Sequence, residues 1–239
     1  MKMFNLEILG KQSFTFRRDD SSKGVNMGNI SSNKLGGLGL IIGPGLATLL
    51  FLIIFVALGD AGSGDPTDFT DFTKQSSLEG FLGMLPGISL IFFLYGLMTL
   101  GNDLKQNGNN ESLFQLGLLG VFFGILGIIV ATSLGTAVNF DNITVGAGYE
   151  SIVTLVGGAI QTYTGLLFAI GTTLIAIALS TNKVGAHKIF AWLVALLGAI
   201  NIVVGFVNLL DASTWESTFI LTPITYLVFS IWSVTLGLN

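Results

Sequence analysis

The chain has no cysteine, a single histidine, four prolines and only 10% charged residues in 239 positions. Without cysteine there is no disulfide, no thiolate nucleophile and no iron–sulfur ligation, and the redox compartment leaves no trace. His187 has no second histidine or cysteine to complete a metal site, so zinc, copper, haem and di-iron chemistry are not expected. It lies in the short connection TNKVGAHK, where a place at a helix start accounts for it. No Asp, Glu, Lys, Arg or His falls within the long apolar runs, which removes the usual mark of proton relays, coupled transport, voltage sensing and retinal attachment. With no buried nucleophile and base together, neither an enzyme activity nor a cofactor is expected.

What is abundant is apolar surface and glycine. At 51% hydrophobic residues and 32 glycines, the composition leaves the range of a soluble domain and points to a lipid solvent. Six apolar stretches are long enough to cross a hydrocarbon layer of roughly 30 Å: Gly36 to Leu58, Gly80 to Leu100, Leu113 to Thr136, Ser151 to Leu179, Ile189 to Leu210 and Thr218 to Leu238. The expected fold is an all-α integral membrane protein with six transmembrane helices. A polar tail, residues 1–35, precedes the membrane domain, residues 36–239, and lacks the pattern of a cleavable signal peptide. Within the tail, Phe4, Leu6 and Ile8, then Phe14 and Phe16, alternate with polar neighbours around Gly10-Lys11, which predicts a small β-hairpin.

Charge sets the expected orientation. Six basic residues lie in the tail, Lys105 in the second connection, and Lys183 and Lys188 in the fourth, leaving Lys74 alone on the other side. By the positive-inside rule both termini face the cytoplasm, and the glycine-rich hairpins, generic for small polytopic proteins of bacteria and archaea, lead us to expect a multi-pass protein of a cell membrane, the cytoplasmic membrane of a prokaryote. The opposite face is acidic. Its first loop, GDPTDFTDFTK, carries Asp65, Asp68 and Asp71, a candidate cation loop whose spacing does not match an EF-hand. A solvated interfacial loop, with Phe69 and Phe72 turned to lipid, is the simpler reading. Asn142-Ile-Thr144 matches a glycosylation acceptor on that face, and the same pattern recurs at Asn29 and Asn110 on the other.

Glycine at helical spacing replaces charge as the patterning element. Gly117, Gly120, Gly124 and Gly127 form one stripe on the third helix, a surface that lets another helix approach closely in lipid. On the fourth, Thr154, Gly158, Gln161, Gly165 and Thr172 share a face, with Phe168 between. On the fifth, Ala195, Gly198, Asn201, Gly205 and Asn208 do the same. These two faces predict one shared interface in which Gln161 and Asn201 hydrogen-bond, joined by Thr222 and Tyr226 of the sixth helix. The same four residues are the candidate polar intramembrane cluster, able to serve as interhelical glue or to line a small pocket. Pro44, Pro86 and Pro223 predict kinks. The hairpin of helices two and three resembles that of four and five, with Leu119-Gly120 against Leu197-Gly198 and Gly127 against Gly205. Trp192, Tyr149 and Trp215 fit aromatic belts, and Trp232 lies deeper.

The expected role is a non-catalytic accessory or structural subunit, with the lipid bilayer, other membrane subunits or further copies as partners and no nucleic acid. The alternative is a channel or transporter for a small neutral or weakly polar solute.

Overall fold

The structure is a computed structural model, and it describes residues 31–57, 77–107, 110–138, 147–181, 186–211, 214, 218 and 221–238. Six helices follow one another: α1 (Ser32–Ala57), α2 (Ser77–Asn107), α3 (Glu111–Val138), α4 (Ala147–Ser180), α5 (Ala186–Leu210) and α6 (Leu221–Gly237). There is no strand among the described residues. The expected tail hairpin lies outside them. Five helices are long and apolar enough to cross a membrane, where a backbone with no water to bond must satisfy itself internally. The sixth, α6, has 17 residues, about 25 Å of rise, and falls just short of the expected span.

Helix ends explain where the expected boundaries shift. α1 begins four residues before Gly36 because Ser31 caps it: the Lys34 amide donates to Ser31 Oγ at 3.3 Å. Glu111 in the first turn of α3 and Lys105 in the last turn of α2 complement the helix dipoles. Their ion pair, 4.0 Å and half exposed, adds little. Asn110, at φ 63°, turns the chain into α3, and its side-chain amide donates to Thr181 Oγ1 at 2.7 Å, tying the start of α3 to the end of α4.

The prolines do not end their helices. Pro44 lies inside α1 and Pro86 inside α2, while Pro223 falls in the first turn of α6, where a missing amide is tolerated. Pro44 has no N–H for the carbonyl of Leu40, four residues back. Ser233 of α6 supplies the donor instead, Oγ to Leu40 O at 2.7 Å. Ser230 donates to Pro44 O at 3.3 Å and shares a 2.5 Å hydrogen bond with Thr48. Hydroxyls thus repair the backbone that proline breaks, which is how transmembrane helices carry proline at all.

Each helix packs on the next in sequence, and α6 packs back on α1, closing a ring. At the middle of the ring, rings from three alternate helices meet. Phe93 of α2 lies edge-on to Phe229 of α6 at 5.2 Å, Phe168 of α4 meets Phe229 at 5.9 Å, and Tyr226 stacks on Phe168 at 6.0 Å. Phe93, Phe168 and Phe229 are 1%, 6% and 5% exposed.

The hairpin repeat differs in phase from the one expected: α1–α2 is matched by α3–α4, and not α2–α3 by α4–α5. A methyl group placed at Gly43 would lie 2.5 Å from Phe93 Cβ, and one at Gly124 would lie 2.6 Å from Phe168 Cβ. At Gly96 it would lie 2.8 Å from Gly36 O, and at Gly171 2.6 Å from Gly117 O. Leu-Gly pairs cannot separate the phases, because they occur in α1, α2, α3, α5 and α6 alike.

Candidate functional site

The glycine stripe of α3 faces α4 along its whole length. Methyl groups at Gly117, Gly120, Gly124 and Gly127 would fall within 3 Å of Gly171 and Ile175, of Gly171, of Phe168, and of Thr164 respectively. In this pair backbone meets backbone, and no side chain can enter between them without moving a helix.

Gly198 and Gly205 of α5 also face α4: a methyl group at the first would meet Thr173, and one at the second would lie 2.5 Å from Leu166 Cδ2. The expected partner glycines do not meet them. A methyl group at Gly158 or Gly165 encounters nothing within 4 Å, so the face of α4 that touches α5 is the one carrying Leu166 and Thr173. One shared small-residue interface is therefore not what forms, because the α5-facing side of α4 is turned about a quarter of the circumference from Gly158 and Gly165.

The same register separates the polar pair. With Gly198 against Thr173 and Gly205 against Leu166, Asn201 lies level with about Ile170, nine residues or roughly 13 Å of rise from Gln161. Gln161 is exposed. Asn201 donates instead to Thr225 Oγ1 of α6 at 2.5 Å and to the Leu197 carbonyl at 2.9 Å. Thr225 in turn donates to Leu221 O at 2.9 Å. Tyr226 reaches the centre by stacking on Phe168. Thr222 is carried in the first turn of α6, its side chain outside the described set.

A second polar group sits at the C-terminal end of α5. Asn208 donates to Thr218 Oγ1 at 3.0 Å and accepts from Thr214 Oγ1 at 2.6 Å, tying α5 to the connection that follows. Thr225, Thr214, Thr218, Ser230 and Ser233 all escaped the sequence reading. A signal existed for Ser233: proline inside a membrane helix leaves the carbonyl four residues back in need of a donor. Which hydroxyl answers depends on tertiary contact.

The candidate cation loop, Asp65, Asp68 and Asp71, and the acceptor Asn142 lie outside the described residues. Among the described residues no three His, Asp or Glu gather. Trp192 is exposed at the end that also carries Lys188, while Trp232 is buried.

Comparison with protein-family models, curated proteins and solved structures gave no match. The functional reading rests on the geometry.

Proposed function

We propose that the chain is a non-catalytic multi-pass membrane protein that serves as an accessory or structural subunit, its partners being lipid and other membrane subunits or further copies of itself. The observation that carries this reading is the aromatic cluster of Phe93, Phe168 and Phe229, which fills the middle of the helix ring where a solute path would otherwise run. Glycine-mediated helix packing is the device that builds such a ring in lipid, where apolar burial alone drives nothing. The described lysines, Lys34, Lys105 and Lys188, share one end of the bundle, and with the five other basic residues of the tail they favour a cytoplasmic placement of both termini; the membrane we propose is the cytoplasmic membrane of a prokaryote.

Native mass spectrometry of the protein extracted from its own membrane in mild detergent tests this. A stable heteromeric or self-associated species is the expected result, and a lone monomer would count against it.

One observation favours transport of a small neutral solute as a second reading. The α4 face that is buried at Phe168 and Thr172 becomes open at Gly165, Gln161 and Gly158, toward the outer end. Flux of a neutral polyol into proteoliposomes carrying the purified chain would support that reading, and impermeability equal to empty vesicles would remove it.

A further inference from the structure

The repeat extends to the third hairpin. Phe229 stands where Phe93 and Phe168 stand, and a hydroxyl precedes each by four residues: Ser89, Thr164 and Thr225. Each of these hydroxyls donates to a carbonyl of its own helix, Pro86, Ile160 and Leu221 respectively. Three residues after the phenylalanine the first two hairpins have glycine, Gly96 and Gly171, over which the odd helix passes with its backbone. The third has Trp232. An indole cannot occupy the space in which a carbonyl approaches to within 3 Å of a Cβ position, so α5 cannot sit on α6 as α1 sits on α2 and α3 on α4.

Burial follows from this. Around Trp232, itself 2% exposed, α5 buries Ala191, Val194 and Ala195. Beyond Gly198, no described residue of α5 is buried, and none of α6 from Leu221 to Val228. The same outer half of α3 buries Gly124, Ile125, Gly127 and Ala131. Among the described residues, the hydrogen bond that joins the two helices across this half is Asn201–Thr225, and Asn208 joins the end of α5 to Thr214 and Thr218 of the connection. The indole N–H of Trp232 is buried without an acceptor, a cost borne by the closed arrangement and relieved in one that admits an acceptor, which narrows the gap between the two.

We propose that α5 and α6 part on their outer half, pivoting at Trp232 and latched by Asn201–Thr225, so that the ring has one lateral opening to the membrane while its other two hairpins stay shut. The gate is built into the third hairpin by the exchange of glycine for tryptophan.

The absence of cysteine makes the test direct. Spin labels on Val203→Cys and Ile224→Cys report the α5–α6 separation in the full chain in nanodiscs, and labels on Leu126→Cys and Tyr163→Cys report α3–α4, all four being exposed sites. Double electron–electron resonance is expected to show a second, longer distance for the α5–α6 pair and one narrow distance for α3–α4. Thr225→Val removes the latch with little change of shape and is expected to raise the ratio of open to closed about threefold, the value of one interhelical hydrogen bond in lipid. A single narrow α5–α6 distance in both the parent and Thr225→Val would overturn the proposal, as would equal broadening of the α3–α4 pair.

Discussion

Between α3 and α4, glycines at intervals of three and four bring two backbones together, and the contact runs from Gly117 at one end to Gly127 near the other. Between α5 and α6, the same hairpin plan carries a tryptophan at the position of closest approach, and polar side chains take over the half toward their connection. In the apolar spans, 44% of α4 is buried but only 17% of α5, so the two helices differ in cover: α4 packs on α3 and α5 and reaches α6 through Phe168, while most of α5 is left uncovered by the chain. Helix association in a bilayer depends on fit rather than on escape from water. One change of residue size at a crossing point therefore alters a whole hairpin.

The sharpest way to break the comparison is to give the tight pair the bulk that the loose pair already has. Gly171→Leu would drive a side chain into Gly117 O and the Gly120 backbone. We expect a loss of roughly 3 kcal/mol or more, the upper range for overpacking a rigid site, seen as loss of the monodisperse peak in size-exclusion chromatography. Gly198→Ala meets only the Thr173 side chain and the more distant Ala169 carbonyl. Thr173 can yield by turning to another χ1 rotamer at the cost of its hydrogen bond to Ala169 O, where a backbone cannot yield at all, so this change should cost less than Gly171→Leu and keep the peak.

Next comes the seam where α6 closes on α1. Ser233→Ala leaves the Leu40 carbonyl buried with no donor, at a cost of about 1–3 kcal/mol, to be measured by denaturant titration in mixed micelles with tryptophan fluorescence. In the Ser233→Ala background, Pro44→Ala restores an N–H to residue 44 and should recover part of the loss. If the two changes simply add, the hydroxyl is not standing in for the missing amide.

A smaller effect is expected from the link across the loose pair. Asn201→Leu removes the hydrogen bond to Thr225 and should cost about 0.6 kcal/mol by the average for such bonds in lipid. A cost above 2 kcal/mol would mean that α5–α6 is held as firmly as α3–α4.

The helices and the α3 glycine stripe were legible because each is local: the solvent is written in the apolar runs, and a stripe is a fixed sum of helical steps. Pairing was not. The link between Gln161 and Asn201 looked right by depth alone, yet the Thr173 and Leu166 contacts set α5 about two and a half turns away from that register. Asn201 found Thr225, a residue of the right chemistry on a helix whose own register depends on Trp232. The Pro44–Ser233 repair joins positions 189 apart in the chain, and nothing near either one names the other.

The mildest substitutions test the emptiest surface. Gly158 and Gly165 are glycines inside a long helix with nothing within 4 Å of an added methyl group. If that space is free, Gly158→Ala and Gly165→Ala lose no contact and gain helix propensity, up to about 1 kcal/mol each, so thermal unfolding should stay level or rise slightly. A clear loss of stability in the purified chain would mean that a close neighbour occupies the face. A loss confined to the native membrane extract would place a second polypeptide there, bringing the outer half of α4 back to the condition of α3, glycine against backbone, with the partner supplied from outside the chain.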